Sequence, residues 1–555
     1  MTKQDEKHRL QSVLNTDAES ANFEEAITLA GCGRYHLEVL LVCGVITMCV
    51  GFENGLSSYI LSSAQCDLDL SSSAKGMVNA AFLAGATASA LPWGVTADAI
   101  GRKKILVMSL LTNGIITFVS SFSGTFLTFA SLRFVNGFMI GAPGTLTFSY
   151  VGEFYSDKYR PKAITAMGLF WLTSWILLPV FAWIIIPLKL NYQIFGISCH
   201  SWRLFVLVFA LPSILTALLL MRYPESPKFL LSQGKKKEAL AIIRQIFAAN
   251  TGKDKHEFPI SNLIMDSDAS ENQAKTISDI ISNIRKQVCY LMTPPLLKYT
   301  ALTSLTMAVT MFGYLGFAFW FPELFNRFES HYRNNPNASV TLCELSALRN
   351  EIGPVYLNDL NTTETNFTNV GTKILSTLTS RSLPILEKSS LQTCDPSVDL
   401  KVFSNTIIIG AVSLVVNVAA IYLSHHLSNN ILQSTTLTIA SIFCCTLYFV
   451  RSTFQNLIVA SLFSAFANVG IVVFTGAVVD LFPTRVNAMA VCTATFTGRC
   501  GAILSNILFG ELLDTQCALL VFLMSAALLC AGLLGFLVPK KIPELPQSGK
   551  KSSTA

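Results

Sequence analysis

Three ionisable residues lie inside long apolar stretches of this sequence. Glu53 occurs in MCVGFENGLSS, Arg499 in TFTGRCGAIL, and Arg133 near the start of a third stretch, in SLRFVNG. A charge at the centre of a bilayer costs about 2.5–3.5 kcal/mol on insertion scales, so such residues usually face a partner or a cavity. Glu53 is a candidate to carry a proton or to face a cationic solute, and the alternatives are a structural ion pair or a carboxylate that snorkels outward. Arg499 can bind an anionic group of a solute, pair with Glu53 or brace two helices, whereas Arg133 can sit near an interface.

Aromatic side chains form a second set of candidates. Trp175 and Trp183 belong to one apolar stretch, and Tyr314 and Trp320 belong to another. Small-molecule pockets are lined by aromatic side chains with a few polar groups, which favours a substrate cavity built from these four residues. Aromatic rings also collect in belts at the membrane surface. The pattern therefore leaves both a cavity and an interfacial position open.

The elements that must position these residues are long apolar segments. The chain has 555 residues, of which 51% are hydrophobic and only 13% charged, whereas a soluble domain is about 25% charged. Segments of about 20 apolar residues can cross a bilayer, and helices are the default because backbone polar groups must be satisfied internally. The sequence therefore predicts an all-α membrane protein with twelve transmembrane helices, and it argues against a large soluble enzyme. The predicted spans are 38–62, 76–97, 105–123, 126–150, 163–187, 203–221, 298–322, 404–424, 431–450, 456–479, 487–511 and 516–538.

The spans fall into two groups of six, separated by a polar stretch. In that stretch, KKKEALAIIRQIFAA (235–249) has apolar residues at helical spacing, which predicts amphipathic helices, while DSDASENQAK (266–275) is more typical of a flexible linker. Lysine and arginine collect in the tails and in alternate loops, so the positive-inside rule predicts that both termini are cytoplasmic. The predicted organisation is a cytoplasmic tail (1–36), an N-terminal six-helix bundle (37–221), a cytoplasmic linker (222–297), a C-terminal six-helix bundle (298–538) with an outer loop (323–403), and a second tail (539–555).

The outer loop carries features of an extracytoplasmic segment. Its three Asn-x-Ser/Thr acceptors, Asn337, Asn361 and Asn366, predict glycosylation on the side opposite the termini. Cys343 and Cys394 bracket these acceptors and can close the loop as a disulfide. Sequence alone does not determine the pairing.

Short charged motifs resemble those of the major facilitator superfamily. GVTADAIGRKK (94–104) resembles the signature G-x-x-x-D-x-x-G-R-[RK]-[RK], and VGEFYSDKYRPKA contains the spacing of the E-x6-R pair. RYPESPKFL resembles the P-E-S-P-[RK] signature that follows the sixth helix. The resemblance implies two six-helix bundles around a cavity and a charged lock that holds the cytoplasmic side closed while the transporter faces outward. The implied lock residues are Gly94, Asp98, Gly101, Arg102, Lys103, Glu153 and Arg160.

Further stretches are similar to the synaptic vesicle glycoprotein 2 family, including GRYHLEVL, FSYVGEF, AWIIIP and HSWRLFVLV. Trp183 matches a tryptophan of that family, and Arg133 resembles the helix-4 arginine of proton-coupled relatives, which implies that it modulates protonation. The second-half counterpart of the lock, IYLSHHLSNN (421–430), lacks an acid and arginines, so the implied lock is one-sided.

The resemblance implies a secondary-active transporter for a small organic ion or related solute, cationic or zwitterionic, that works by alternating access. It would be proton-coupled through Glu53 or uncoupled, and would lie in the plasma membrane or in a secretory or synaptic-type vesicle. The alternative is a non-transporting vesicle glycoprotein that binds or regulates partner or adaptor proteins, through its tails or its outer loop.

Other functional classes lack their motifs in this sequence. It has no G-x-x-x-x-G-K-[ST], no metal-ligand spacing and no nucleophile elbow, so we expect neither an enzyme nor a cofactor or metal site. The net charge of +6 is spread over the predicted cytoplasmic loops, where anionic lipid rather than nucleic acid is the expected partner.

Overall fold

The computed structural model describes residues 20–190, 192–194, 197–264, 277–294, 296–334, 339–351, 398–424, 426–483 and 486–539. Helices dominate this part of the chain. Two small sheets accompany them: β1 (Ser20–Asn22) pairs in parallel with β4 (Asn262–Ile264), and β2 (Tyr192–Ile194) pairs antiparallel with β3 (Ile197–Cys199).

The first half begins with a short helix and continues with long ones. The second predicted span is divided at Ser89, where Pro92 cannot donate an N–H to the carbonyl four residues earlier. The helices are α1 (Phe23–Leu29), α2 (Arg34–Ser63), α3 (Ser72–Ala88), α4 (Ala90–Ile100), α5 (Arg102–Ser120), α6 (Phe126–Gly152), α7 (Arg160–Ile185) and α8 (Ser201–Leu220).

The described residues of the predicted linker contain three helices, and the second half follows. The linker contains α9 (Pro227–Ser232), α10 (Lys236–Thr251), a 3-10 turn (Lys255–Glu257) and α11 (Ile277–Leu291). The remaining helices are α12 (Leu296–Asn334), α13 (Leu342–Glu351), α14 (Leu400–Leu423), α15 (Asn429–Thr446), α16 (Thr453–Leu481), α17 (Asn487–Leu512) and α18 (Cys517–Leu537).

Most of the long helices can cross a membrane. Within the described ranges, nine helical segments are long and apolar enough to do so, with α3 and α4 taken together. The helices α6, α15 and α17 occupy the other three predicted spans, so the structure is consistent with twelve crossings. Large apolar side chains such as Leu215, Val415 and Leu533 remain exposed on the outside of the helices, as a lipid-facing surface requires.

The linker is packed against one end of the first half, which we call the terminal face. The Asn250 side chain of α10 donates a hydrogen bond to the Gly31 carbonyl at 2.9 Å and lies 3.1 Å from Nδ1 of His36. The Tyr155 hydroxyl donates to the His36 carbonyl at 2.8 Å. Burial raises the pKa of Tyr155, which keeps this donor protonated. The early linker therefore forms an ordered cap.

The two halves meet most closely at the other end, which we call the distal face. There α3 crosses α17 and α2 contacts α12, and α7 contacts α14 nearer the middle of both helices. A Cβ atom added to Gly76 would lie 2.5 Å from the Asn506 carbonyl oxygen, and one added to Gly510 would lie 2.7 Å from the Ser72 carbonyl oxygen. The backbones of α3 and α17 can approach this closely because both positions are glycine.

Candidate functional site

A cavity of about 270 Å³ lies between the two halves. The first half supplies its wall from α2, α3 and α7, and the second half supplies α12, α14, α16 and α17. Its polar lining residues include Asn54, Tyr59, Tyr314, Thr406, Ser413, Ser464, Asn468, Thr495 and Arg499. The volume is slightly below the usual range of roughly 300–1,000 Å³ for ligand pockets, which suits a small solute.

Two of the four aromatic cavity candidates, Trp175 and Tyr314, line this cavity. Trp175 stacks on Phe319, with ring centroids 6.3 Å apart, and meets Trp171 edge to face at the same distance. Trp171 also lines the cavity, so the aromatic wall has two adjacent indoles from α7.

The other two aromatic candidates lie elsewhere. Trp183 follows Trp175 by two turns, about 12 Å along the helix, and 45% of it is exposed on the outer surface. Trp320 is rotated about 240° from Tyr314 around α12, where it is fully buried and stacks on Phe509. The expectation that they line the cavity is wrong for this conformation because helix rotation places them on other faces.

Glu53 and Arg133 form an ion pair inside the first half. One Glu53 carboxylate oxygen lies 2.7 Å from an Arg133 guanidinium nitrogen, and both side chains are at most 1% exposed. The other oxygen accepts hydrogen bonds from Thr117 at 2.6 Å and Asn113 at 3.0 Å. Arg133 also donates to the Ser57 hydroxyl at 3.0 Å and to the Glu53 carbonyl at 2.6 Å. Arg133 is therefore not at an interface.

This pair removes Glu53 as a candidate partner of Arg499. Glu53 is absent from the cavity wall, although its neighbour Asn54 lines it. Arg499 lines the cavity and donates to the Ala86 carbonyl at 2.8 Å, so it does not pair with Glu53.

The implied lock residues form a cluster at the terminal face. Arg102 bonds to the Glu153 carboxylate, donates to the Ser149 hydroxyl at 2.5 Å and lies 3.8 Å from Asp98. The hydroxyl of Ser226, which belongs to the linker, donates to Glu153 as well. The first-half motifs are thus held together by charge-assisted hydrogen bonds.

The Glu225 carboxylate holds the end of the signature GVTADAIGRKK at Lys103. The backbone N–H of Lys103 donates to Glu225 at 2.8 Å, and the Lys103 ammonium donates to the Met221 carbonyl at 2.9 Å. Gly101 has a φ of +117°, and a Cβ there would lie 2.5 Å from Glu225. The positive φ therefore favours glycine at this turn, whereas the flexible end of the Glu225 side chain can shift to admit a Cβ.

Arg160 and Gly94 complete the candidate set. Arg160 donates to the Gly152 carbonyl at 2.9 Å, pairs with Glu24 at 2.6 Å and bonds to Asp157. A Cβ at Gly94 would meet no atom within 4 Å. The contacts of the lock residues described above are made within the first half and to the linker.

An ion network at the distal face joins the halves, and sequence reasoning missed it. Lys75 pairs with Glu323 at 2.7 Å, and Arg327 lies 3.0 Å from Glu323 and 2.6 Å from Asp514. Hydroxyls from the first half complete this distal network, since Ser62 donates to Glu323 and Ser72 bonds to Asp514. Glu323 and Arg327 stand four residues apart in FPELFNRF, a visible signal, but their first-half partner is not apparent from spacing.

The predicted disulfide between Cys343 and Cys394 is wrong, because Cys343 is bonded to Cys517 with a Cα–Cα distance of 5.3 Å. Cys517 is the first residue of α18 and therefore stands at the distal end of a span, next to α13. Cys394 and the acceptors Asn337, Asn361 and Asn366 lie outside the described residues.

Comparison with protein families finds one matching model. The model of the Major Facilitator Superfamily matches residues 43–346, more than half of the chain. Human synaptic vesicle glycoprotein 2B is 31% identical over 330 residues, which cover 55% of this chain and 48% of that protein. Rat synaptic vesicle glycoprotein 2A is 34% identical over 230 residues, which cover 41% of this chain and 31% of that protein. The chain thus spans half or less of the length of these relatives.

Solved transporter structures share the fold. The xylose transporter XylE from E. coli in an inward open conformation aligns with a TM-score of 0.60 at 14% identity, covering 93% of this chain and 98% of that chain. A partially occluded inward open form of XylE aligns with a TM-score of 0.58 at 15% identity, and the alignment covers 91% of this chain and 98% of that chain. The bacterial homologue of the human lysosomal transporter Spinster aligns with a TM-score of 0.57 at 14% identity, and the alignment covers 92% of this chain and 97% of that chain.

Proposed function

The chain belongs to the major facilitator superfamily, and we propose that this multi-pass membrane protein is a secondary-active transporter of a small organic ion or related solute that works by alternating access. The observation that carries the proposal is the cavity between the halves, which is lined by residues of both halves. A binding site between two lobes can be exposed to alternate sides if the lobes rock around it.

The distal face and the terminal face differ in whether their ionic contacts join the two halves. At the distal face, Glu323 and Asp514 of the second half are bonded to Lys75 and Ser72 of the first half. At the terminal face, Arg102 and Glu153 are bonded within the first half. We infer that this conformation is closed distally and that the distal network must separate for the opposite opening.

The charge of the loops and the position of the disulfide support a proposed orientation in the membrane. The tails and the linker are rich in lysine, and the Cys343–Cys517 disulfide stands at the distal face. Disulfides persist in oxidising compartments, and positive loops stay in the cytoplasm. We propose that both termini are cytoplasmic and that the distal face is extracellular or lumenal, in a plasma membrane or a secretory-type vesicle.

Glu53 is the proposed proton carrier. Its carboxylate is the partner of Arg133 and is next in sequence to the wall residue Asn54. Protonation would remove the negative charge that balances Arg133 and thereby change the packing of α2, α5 and α6, the helices that supply this polar cluster. The resemblance to proton-coupled relatives at Arg133 supports this role.

The alternative is a non-transporting vesicle-type glycoprotein that binds or regulates partner proteins. It is supported by the similarity to synaptic vesicle glycoproteins 2A and 2B. Such a protein needs only one stable conformation, so the accessibility of the cavity from the two sides separates the two proposals.

The experiment introduces Asn54→Cys into a background in which the exposed cysteines are replaced by serine. A membrane-impermeant thiol reagent is then added from each side of proteoliposomes of known orientation. We expect labelling from both sides for a transporter, because Asn54 lines the cavity. Thr310→Cys, buried among helices, is the control and stays unlabelled. Labelling of Asn54→Cys from one side only would contradict alternating access.

A further inference from the structure

The charge of the cavity wall indicates which charge the solute carries. Among the described residues that line the cavity, Arg499 is the only one with a charged side chain, and the others are aromatic, aliphatic or neutral polar. The wall therefore carries a net positive charge and no carboxylate to bind a cation.

Arg499 differs from three other deeply placed cations, Arg133, Lys75 and Arg327. Arg133 is paired with Glu53, Lys75 with Glu323, and Arg327 with both Glu323 and Asp514. Arg499 has no carboxylate of the described residues within 4.0 Å, and its hydrogen bond is to the Ala86 carbonyl. A cation inside a membrane protein normally faces a partner or a cavity. Arg499 therefore has no acidic partner in the part of the chain that the structure describes, and its side chain lines the cavity.

The Arg499 guanidinium has more N–H donors than its bond to Ala86 uses. Arginine presents five N–H groups in a planar fork that matches a carboxylate, and the bond to Ala86 uses one of them. Because Ala86 belongs to α3 and Arg499 to α17, the fork lies where the two halves meet across the cavity. An anion bound there would interact with a group that already touches both halves.

We propose that the cavity selects a small organic anion, whose carboxylate or equivalent oxyanion pairs with Arg499 and whose apolar part lies against Trp171 and Trp175. This inference rests on the proposed function and refines the solute class. It replaces the expectation of a cationic or zwitterionic solute, because no acidic side chain among the described residues lines the wall. Asn54 and Asn468 remain to bind neutral polar groups of the solute.

The test compares three probes with one ring and different charge, which are benzoate, benzamide and benzylamine. The full chain is purified into lipid nanodiscs, and binding is followed by quenching of tryptophan fluorescence and by the shift in Tm. We expect benzoate to bind about tenfold or more tightly than benzamide, the range set by one charge-assisted hydrogen-bonded contact. Benzylamine binds more weakly than either.

Variants at position 499 test whether Arg499 causes the preference for benzoate. Arg499→Gln removes the benzoate preference, and Arg499→Lys keeps part of it because the charge remains while the fork is lost. Arg451→Gln is the matched control, since it removes one positive charge from an exposed position and leaves the preference unchanged. The Tm of each apo variant shows whether the fold is retained.

Two results would overturn the inference. One is a benzoate affinity no higher than that of benzamide or benzylamine, including the absence of measurable binding. The other is a benzoate preference that survives in Arg499→Gln. Two-sided labelling of Asn54→Cys alongside either result would leave transport standing and remove only the anion selectivity, whereas one-sided labelling removes the proposed transport itself.

Discussion

Two ion pairs that each include a glutamate of α2 show how burial changes what a residue contributes. Glu53 and Arg133 are at most 1% exposed, and their remaining oxygens and nitrogens have further hydrogen-bond partners. Glu38 and Arg34 form an exposed pair one turn apart, with side chains 44% and 83% exposed. Breaking a buried pair leaves an uncompensated charge and costs about 3–5 kcal/mol, whereas an exposed pair contributes about 0–1 kcal/mol.

We therefore expect Glu53→Gln to lower the Tm clearly and to abolish uptake driven by a proton gradient. The amide cannot balance the charge of Arg133 or release a proton. Thermal unfolding in nanodiscs and uptake by proteoliposomes with and without a pH gradient measure the two effects. Glu38→Gln is the control and leaves both near wild type. Gradient-driven uptake at the wild-type rate in Glu53→Gln would rule out the proton role.

At the scale of helices, the crossing of α3 and α17 is set by glycine. Gly76 and Gly510 bring the two backbones together across the halves, and the distal network surrounds the crossing with Lys75 and Asp514. A side chain at Gly76 would strike a backbone carbonyl, which cannot rotate away. The closed distal face therefore depends on the absence of a side chain at these positions.

Gly76→Leu should shift the population toward the conformation that is open at the distal face. Asn54→Cys in the same chain would then react faster with reagent added from the distal side. Gly168→Ala on α7, where a Cβ meets no atom within 4 Å, is the matched control. Unchanged distal labelling in a folded Gly76→Leu protein would show that the crossing does not hold this face closed.

At the scale of the whole molecule, a covalent link joins two distant parts of the second half. Cys343 of α13 and Cys517 of α18 are 174 residues apart in sequence. The bond anchors the described end of the outer segment to the distal face of the bundle. It also agrees with the proposed orientation, since this face would be exposed to an oxidising compartment.

Peptide mapping of the non-reduced protein should find a cross-linked pair containing Cys343 and Cys517. Cys343→Ser should lower the Tm, since disulfides typically contribute about 2–4 kcal/mol. Cys530→Ser, at an exposed unbonded position of α18, is the control. Recovery of a Cys343–Cys394 peptide instead would contradict the structure.

The sequence by itself determined the class of protein, the presence of long apolar helices and the family. These are local properties, because the hydropathy of about 20 consecutive residues decides whether a helix can cross a bilayer. The motif that contains Gly101 and Arg102 was visible for the same reason, since its residues are adjacent and its turn needs glycine.

Only the tertiary structure decided which side chains meet. The partner of Glu53 lies 80 residues away, and Glu323 lies 248 residues from Lys75. Each contact depends on helix rotation and on height in the bundle, which no local pattern contains. The same rotation placed Trp175 on the cavity wall and Trp183 on the outer surface. Arg499 faces the cavity and bonds to the Ala86 carbonyl, whereas Glu53 is paired with Arg133.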